Sequence, residues 1–542
     1  MECIGRPRSF VSYVPYALYV PFLVLSIGCG SPKEQKPSAV GAAPAQAGGG
    51  GGALIYALAH DATTLDPSEA TDIESGTVMQ QIYEGLLTFG PSDTKLYPAL
   101  AQSYEISDNG TMWTFHLRHG VKFHDGTPFD AEAVRFSFER MIDENHPYHL
   151  PGRMTYAPTV LGNFVKKIDT PDTHTVIITL NAPYTPFGHN LAMVPASIVS
   201  PTAMKKAGRD NFGNEPCGTG PFRLARWRRD NEILLERNPD YWGEPTASQR
   251  VYFKIIPDGN VRYSSLVRGD VHIIVGVEIA YMDKLRADPK FNLFEQPGFN
   301  TGYIILNNSK PPLNDVRVRR ALNYAVNKDY IVNTVFRGTS VVAHGVLPPG
   351  MLGFNPNLEG YGYDPGKARE LLKEAGYPNG FSITMSTTVT PRPYNPAGIK
   401  LAEVVQGHLR DVGVEVNLRQ LDFGTLLDAL QASEYEIANT GWVSDNGDPD
   451  NFIYLLLGDL KNYTYYRNDH VNELLAKAQQ VQDDERRREL YFEAEKLVVA
   501  DAPWIFINHA KQVVAASKRV RDFVPHPTAV PYLHHSYVST QP

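Results

Sequence analysis

Cysteine is scarce in this 542-residue chain, which contains only Cys3, Cys29 and Cys217. Three thiols cannot build the disulfide framework of a small secreted domain, nor a metal site made of cysteine ligands. Cys217 lies in a turn-rich loop, from Pro216 to Pro221, without an evident histidine partner. We therefore expect an inert thiol there.

Basic runs and common catalytic motifs are also absent. The formal net charge is -8 with a pI near 6.1, and no stretch interleaves Lys or Arg with aromatic residues, so nucleic acid is not an expected partner. The chain has neither a Gly-x-Ser-x-Gly elbow nor a His-Glu-x-x-His helix. His534 and His535 form a vicinal pair whose rings should point apart, which makes a poor chelate. No metal or cofactor is expected, and a secreted hydrolase is only a remote alternative.

The length of the chain requires at least two lobes, because one hydrophobic core rarely serves so many residues. Hydrophobic residues make up 42% and charged residues 20%, which is typical of a globular protein rather than a disordered one.

The first 28 residues resemble a secretory signal peptide. A short basic segment precedes an apolar stretch from 10 to 28. A membrane-spanning anchor is the alternative, but Pro15 and Pro21 interrupt the stretch and weaken a continuous helix.

The segment that follows is similar to a bacterial lipoprotein processing site. Ser26-Ile27-Gly28 precedes Cys29, although Ser26 stands where an aliphatic residue is usual. Cys29 is predicted to carry a lipid, and an unmodified buried cysteine is the alternative. Residues 29–52 are rich in Ala, Pro, Gly and Ser and end in five glycines, which predicts a flexible linker to the membrane.

Local patterns predict several helices and strands in the folded part. They are strands at 54–58, 175–180, 251–256 and 414–418, a helix capped by Asp130, a helix from Asp364 to Gly376, and a helix over 397–412. Two amphipathic helices are predicted at 472–482 and 484–500, with charged faces turned to solvent.

Two loops carry more chemical information than the rest of the chain. The segment from 390 to 396 holds Arg392 among three prolines, which favours a rigidly placed guanidinium over an ordinary surface arginine. The segment from 441 to 452 holds three carboxylates and no basic residue. A calcium loop is an alternative there, but the closing Glu of an EF-hand is missing, and Asp and Asn are also common turn residues.

A series of short motifs resembles the extracytoplasmic solute-binding proteins of family 5, and within that family most closely its dipeptide-binding members. The matching segments cover nearly all of the chain after Ala53. They are Leu65-Asp66-Pro67, residues 81–87, 96–101, 113–118 and 121–126, Gly218-Thr219-Gly220-Pro221-Phe222, and residues 318–322, 325–328 and 371–376.

The resemblance implies a fold of two α/β lobes, of the type II periplasmic-binding-protein kind, with a discontinuous first lobe. We place the first lobe at 53–298 plus 510–542 and the second at 299–509, with crossings near 297–301 and 508–511. The implied partners are a short peptide, an ABC-type permease and, as a further candidate, a chemoreceptor. The protein is expected to be a monomer without enzymatic activity, held outside the cytoplasm by the lipid.

The resemblance also implies a binding site. Arg392 would hold a peptide carboxylate and Asp445 its ammonium, with Tyr394 and Trp442 as flanking aromatic residues. Ser75 and Gly76 would reach the ligand from the other lobe. Val443-Ser444 departs from the Thr-Gly that family members carry before the Asp, so the neighbouring contacts are expected to differ.

A zwitterionic dipeptide separates its charges by roughly 5 to 6 Å, so two fixed counter-charges can measure its length. A longer peptide would leave a charge unpaired and be rejected. Side chains are expected to sit in water-lined pockets that accept many residues. The alternatives are an oligopeptide, glutathione, haem or a nickel chelate on the same scaffold.

Overall fold

The computed structural model describes residues 52–389, 392–458 and 463–540. The predicted signal peptide at 1–28, the lipidated Cys29 and nearly all of the linker lie outside these residues. Within the described ranges, no helix combines the length and apolar character needed to cross a bilayer.

The described residues form a mixed α/β structure. The strands are β1 (Leu54–Leu58), β2 (Leu87–Phe89), β3 (Leu96–Pro98), β4 (Ala101–Ile106), β5 (Met112–Leu117), β6 (Val165–Asp172), β7 (Thr175–Leu180), β8 (Phe222–Arg228), β9 (Glu232–Arg237), β10 (Arg250–Ile255), β11 (Ile273–Val275), β12 (Phe291–Pro297), β13 (Asn300–Leu306), β14 (Ser340–Val342), β15 (Phe381–Thr388), β16 (Val414–Leu421), β17 (Ile437–Val443), β18 (Trp504–Ser517), β19 (Val520–Arg521) and β20 (Tyr537–Val538).

The α-helices alternate with these strands along much of the chain. They are α1 (Ile73–Met79), α2 (Ala131–Ile142), α3 (Phe187–Leu191), α4 (Pro201–Ala207), α5 (Gly259–Arg268), α6 (Ile279–Ala287), α7 (Val316–Ala325), α8 (Lys328–Tyr330), α9 (Pro365–Glu374), α10 (Gly398–Arg410), α11 (Phe423–Gln431), α12 (Ile453–Leu457), α13 (Asp469–Ala478) and α14 (Asp484–Asp501).

One long strand, β18, connects the sheets of the two lobes. The strand order is β16-β15-β17-β13-β18-β11-β1-β10-β9-β8, and β12 and β14 also pair with β18. The first half of β18 pairs with β13, and its second half, from Lys511 to Ser517, pairs with β12. A separate four-stranded sheet, in the order β4-β5-β7-β6, belongs to the first lobe.

The hydrophobic cores divide in the same way. The largest core joins Leu54 through Phe253 with residues between Val514 and Val538, so both ends of the described chain build the first lobe. Two other cores use residues from Phe299 to Ile507 and form the second lobe. The proposed boundaries at 298/299 and 509/510 remain predictions.

Local sequence signals predicted most of the tested elements correctly. Asp130 caps α2 by accepting a hydrogen bond from the Ala133 N–H, and Asp364 caps α9 through the Lys367 N–H. α10 and β16 confirm the helix and strand predicted around Gly413, whose φ of +92° suits the end of a helix.

Three details differ from the sequence-based expectations. The helix expected at 472–482 is α13, which begins three residues earlier because the Asn468 side chain caps the N–H groups of His470 and Val471. His534 and His535 do not point apart but stack at 4.3 Å between ring centroids, because they lie in a turn rather than in a helix or strand.

The third difference concerns α14, whose charged residues are not all exposed. Arg487 and Glu495 are both only 1% exposed. Glu495 accepts hydrogen bonds from the N–H groups of Val346 and Leu347, and Arg487 pairs with Asp448. Two buried charged residues with structural contacts therefore stand among the solvated charged residues of this helix.

Candidate ligand-binding site

A cavity of about 310 Å³ lies between the two lobes. The first lobe contributes the start of α1, residues 192–195 and a C-terminal segment around Thr528 and Val530. The second lobe contributes β13, β17, α11 and the loops that hold Arg392 and Asp445. A cleft between lobes is a common location for a ligand site, because groups from both sides can enclose the ligand.

Arg392 is placed by a tight turn after β15. Its backbone N–H donates to the Asn395 carbonyl at 3.1 Å, and its carbonyl accepts from the Asn395 N–H at 2.9 Å. The guanidinium lies 3.8 Å from the centre of the Phe423 ring, a cation–π contact that orients its plane. Its Nε is buried, without a hydrogen-bond partner among the described residues. The guanidinium is therefore fixed but not neutralised.

Asp445 follows β17 and faces the same cavity. Its Oδ1 accepts a hydrogen bond from the Tyr156 hydroxyl at 2.8 Å, and its Oδ2 accepts one from the Asn451 amide at 3.3 Å. In the described part of the chain no cationic side chain pairs with it. Burial raises the pKa of Asp445, and these two hydrogen bonds only partly oppose the shift.

Tyr394 and Trp442 line the same cavity as the two charged residues. Tyr394 is buried, and its hydroxyl lies near Arg392 and Thr440 without a hydrogen bond of ordinary geometry. The Trp442 indole N–H donates to Asn451 Oδ1 at 3.0 Å. A Cβ on Gly441 would lie 2.4 Å from the Tyr394 ring, so glycine is required for this close approach.

Ser75 and Gly76 occupy different positions relative to the cavity. Gly76 lines it, whereas Ser75 Oγ donates to Asp72 Oδ2 and accepts from the Thr63 N–H in the cap of α1. Asp72 also lines the cavity, but its oxygens already accept the Ser75 N–H and the hydroxyls of Ser75 and Thr63. Asp445 is the carboxylate with spare acceptor capacity.

A family model described as bacterial extracellular solute-binding proteins, family 5 Middle, matches residues 95–464. The chain belongs to this family. Heme-binding protein A of Haemophilus influenzae is 37% identical over 494 residues, which cover 88% of this chain and 90% of the relative. Dipeptide-binding protein of Escherichia coli is 36% identical over 464 residues, covering 82% and 87%. These matches confirm the predicted family.

The solved structures confirm the fold of this family 5 solute-binding protein. The periplasmic binding protein DppA from Helicobacter pylori, in complex with the peptide STSA, superposes with a TM-score of 0.76 at 33% identity. The match covers 91% of this chain and 99% of that one. The family consists of binding proteins for transported solutes rather than enzymes.

Several contacts show that the two lobes of this solute-binding protein are closed on each other. Tyr156 of the first lobe reaches Asp445 of the second. Asn446 donates to Asn190 at 2.8 Å, and the Tyr184 hydroxyl donates to Asp450 at 3.0 Å. The loop from 445 to 450 therefore contacts both the cavity and the opposite lobe.

Sequence reasoning missed Tyr156 and Phe423, the residues that orient the two charges. Neither lies in a motif with a recognisable spacing: Tyr156 comes from a loop about 290 residues before Asp445, and Phe423 is the first residue of α11. Only the tertiary structure brings them to the site.

Cys217, a free cysteine of the described residues, is buried. Burial raises the pKa of the Cys217 thiol to about 12, which suits the inert role predicted for it. Among the residues that the structure describes, no cluster of three or more His, Cys, Asp or Glu side chains could hold a metal ion.

Proposed function

We propose that this protein captures short peptides, above all dipeptides, between its lobes and delivers them to an ABC-type permease. The proposal depends on one observation. Arg392 and Asp445 line the same closed cavity, and in the described part of the chain neither has an oppositely charged partner. A zwitterion of the right length would satisfy both.

The energetics favour such a ligand. Enclosing an unpaired charge costs several kcal/mol after relaxation, whereas a paired and hydrogen-bonded charge avoids much of that penalty. Arg392 can bind both oxygens of a carboxylate through its planar fork. A ligand that supplies only one of the two charges would leave the other protein group unpaired.

The relatives support a peptide ligand. One of them is named a dipeptide-binding protein, and the Helicobacter pylori structure holds the peptide STSA. The name of the Haemophilus influenzae relative suggests haem as an alternative. Haem carries anionic propionates and no ammonium group, so it would leave Asp445 without a counter-charge. His526 lines the cavity, but both of its ring nitrogens are already hydrogen-bonded, so it offers no free nitrogen to a haem iron.

Isothermal titration calorimetry with capped peptides would test the proposed pairing. We expect Ala-Leu to bind, and N-acetyl-Ala-Leu and Ala-Leu-amide to bind at least about 30-fold more weakly, because each lacks one charge. In Asp445→Asn the penalty for acetylation should shrink, whereas the penalty for amidation should remain. In Arg392→Lys the affinity for Ala-Leu should fall and the penalty for amidation should shrink in part, since a point charge replaces a bidentate fork, whereas the penalty for acetylation should remain.

Matched surface variants serve as controls. Asp428 on α11 and Arg419 on β16 are exposed, so Asp428→Asn and Arg419→Lys should bind all three ligands like the wild type. Equal binding of free and capped peptides by the wild type would contradict the proposal.

Transport and membrane attachment need tests in cells. Uptake of labelled Ala-Leu should fall in cells that lack the protein and recover with the wild-type chain but not with Asp445→Asn. Cys29→Ser should move the protein from the membrane fraction to the soluble periplasmic fraction. Unchanged fractionation would rule out the lipid anchor.

A further inference from the structure

One wall of the cavity, in the second lobe, is lined by apolar residues. Six residues of the second lobe form this wall, which we call the apolar pocket: Tyr303, Ile305, Phe423, Leu427, Leu430 and Leu456. None of them carries a charge, and the sole polar side-chain atom among them is the Tyr303 hydroxyl. The water-lined surroundings expected from the sequence do not describe this part of the cavity.

The apolar pocket lies at the Arg392 end of the cavity. Phe423 stacks against the Arg392 guanidinium, and Leu427 and Leu430 follow it along α11, one and two turns later. A ligand carboxylate held by Arg392 would therefore lie beside α11.

The pairing of β13 with β17 also places the apolar pocket away from Asp445. Tyr303 pairs with Thr440 and Ile305 with Ala438, whereas Thr301 pairs with Trp442, closer to Asp445. Moving from Thr301 to Ile305 thus moves away from Asp445. Because Tyr303 and Ile305 are two residues apart on one strand, they share a face of the sheet.

The pocket is also well supported. Ile305 and Leu430 are 2% and 1% exposed, and the Tyr303 ring stacks on Trp504 at 3.8 Å. A polar side chain placed there would lose its hydration without finding enough partners, whereas an apolar one would gain from burial.

We propose that the apolar pocket selects the side chain of the carboxyl-terminal residue, so that the protein prefers dipeptides ending in Leu, Met or Phe. This inference rests on the proposed function, since it requires the ligand carboxylate to lie on Arg392. The amino-terminal residue of such a ligand would lie nearer Asp445, outside the apolar pocket.

Two pairs of nearly isosteric dipeptides test the proposal. Gly-Leu should bind at least about tenfold more tightly than Gly-Asn, because Leu is buried without loss of hydrogen bonds. Leu-Gly and Asn-Gly should differ by no more than about threefold, since that side chain lies outside the pocket. Calorimetry at one pH and salt concentration gives all four affinities.

The outcomes distinguish the role of the apolar pocket from the proposed dipeptide function. Equal Gly-Leu and Gly-Asn affinities, or a larger preference at the amino-terminal position, would overturn the pocket assignment and leave the dipeptide function standing. Failure of all four dipeptides to bind would overturn both.

A variant of the apolar pocket tests whether the preference for Gly-Leu depends on the pocket. Leu427→Asn should reduce the ratio of Gly-Leu to Gly-Asn affinity several-fold, whereas Leu497→Asn on α14, which packs against the same core but does not line the cavity, should leave it unchanged. An equal change in both variants would contradict a specific role for the pocket. If Leu427→Asn does not fold, the affinities of the wild-type protein for the four dipeptides still test the proposal.

Discussion

Asp445 and Asp448 lie three residues apart in one loop, yet they meet opposite environments. Asp448 is fully buried, and its Oδ2 lies 2.8 Å from Arg487 Nη2. Burial opposes its ionisation, but Arg487, His189 and the hydrogen bond from the Asp450 N–H together outweigh burial, and the pKa of Asp448 is lowered. Asp445 has no such partner in the described chain, and burial raises its pKa. The fold pairs one carboxylate with a cation and, within the described residues, gives the other none.

This contrast separates stability from binding. The Asp448–Arg487 pair joins the loop to α14 and so holds the loop in place. Asp445, at the start of the same loop, presents its oxygens to the cavity. Four changes should affect the two carboxylates differently, and they follow in order of decreasing effect.

Arg487→Ala should have the largest effect, a loss of about 3 to 5 kcal/mol of unfolding free energy, because it leaves the buried Asp448 charge unpaired. Urea denaturation followed by circular dichroism measures this loss. Arg486→Ala, which changes an exposed neighbour on the same helix, should cost less than about 0.5 kcal/mol. Similar losses in both variants would contradict the structural role of the pair.

Asp445→Asn should affect binding instead of stability. We expect dipeptide affinity to fall at least about 30-fold, or about 2 kcal/mol, because the ligand ammonium would be enclosed without a counter-charge. The unfolding free energy should not decrease, since the variant removes an unpaired, desolvated carboxylate. Calorimetry and urea denaturation of the same preparation test both statements. Retained affinity would be decisive against the assignment.

The pH dependence of dipeptide binding should reveal the raised pKa of Asp445. As the pH falls through that pKa, the carboxyl binds a proton and dipeptide affinity should drop by up to about tenfold per pH unit. Asp445→Asn should lose this dependence. The comparison with the variant is needed because burial and the neighbouring Asp448 raise the pKa of Asp450 to about 7 in the same loop. Identical pH profiles for wild type and variant would contradict the prediction.

The two carboxyls should also act on stability with opposite signs. The raised pKa of Asp445 means that its ionised form destabilises the folded state, and this penalty disappears on acidification. The lowered pKa of Asp448 means that its contribution is present above the unfolded pKa, near 4, and is lost as the pH falls through the lower folded value.

Tyr156→Phe should have the smallest effect. It removes the hydrogen bond that the first lobe donates to Asp445, so dipeptide binding should weaken about five- to tenfold, the equivalent of roughly 1 kcal/mol. Tyr148→Phe offers a control on a nearby tyrosine that does not line the cavity. An unchanged affinity would show that Tyr156 does not help to position the carboxylate.

Local signals were enough to predict much of the fold. Asp130, Asp364 and Gly413 mark helix ends through short-range capping and backbone preferences, which depend on only a few neighbouring residues. The family motifs supplied the arrangement of lobes and the candidate residues Arg392 and Asp445. The structure brings both of these residues to one cavity.

Contacts between distant segments could not be predicted in this way. Arg487 looks like one more charge on an amphipathic helix, and only its tertiary contact with Asp448 shows that it is buried. Tyr156 and the apolar pocket likewise depend on how loops and lobes meet. The role of Ser75 as a ligand contact stays a prediction, since its hydroxyl is engaged within the α1 cap.

A crystal structure of the protein with Ala-Leu bound would show whether Asp445 and Arg392 hold the two ends of a dipeptide. We expect the ligand ammonium within about 3 Å of Asp445, and the ligand carboxylate bound by two N–H groups of Arg392. The leucine side chain should contact Leu427 and Leu430. A ligand whose charged ends lie away from Arg392 and Asp445 would contradict the account.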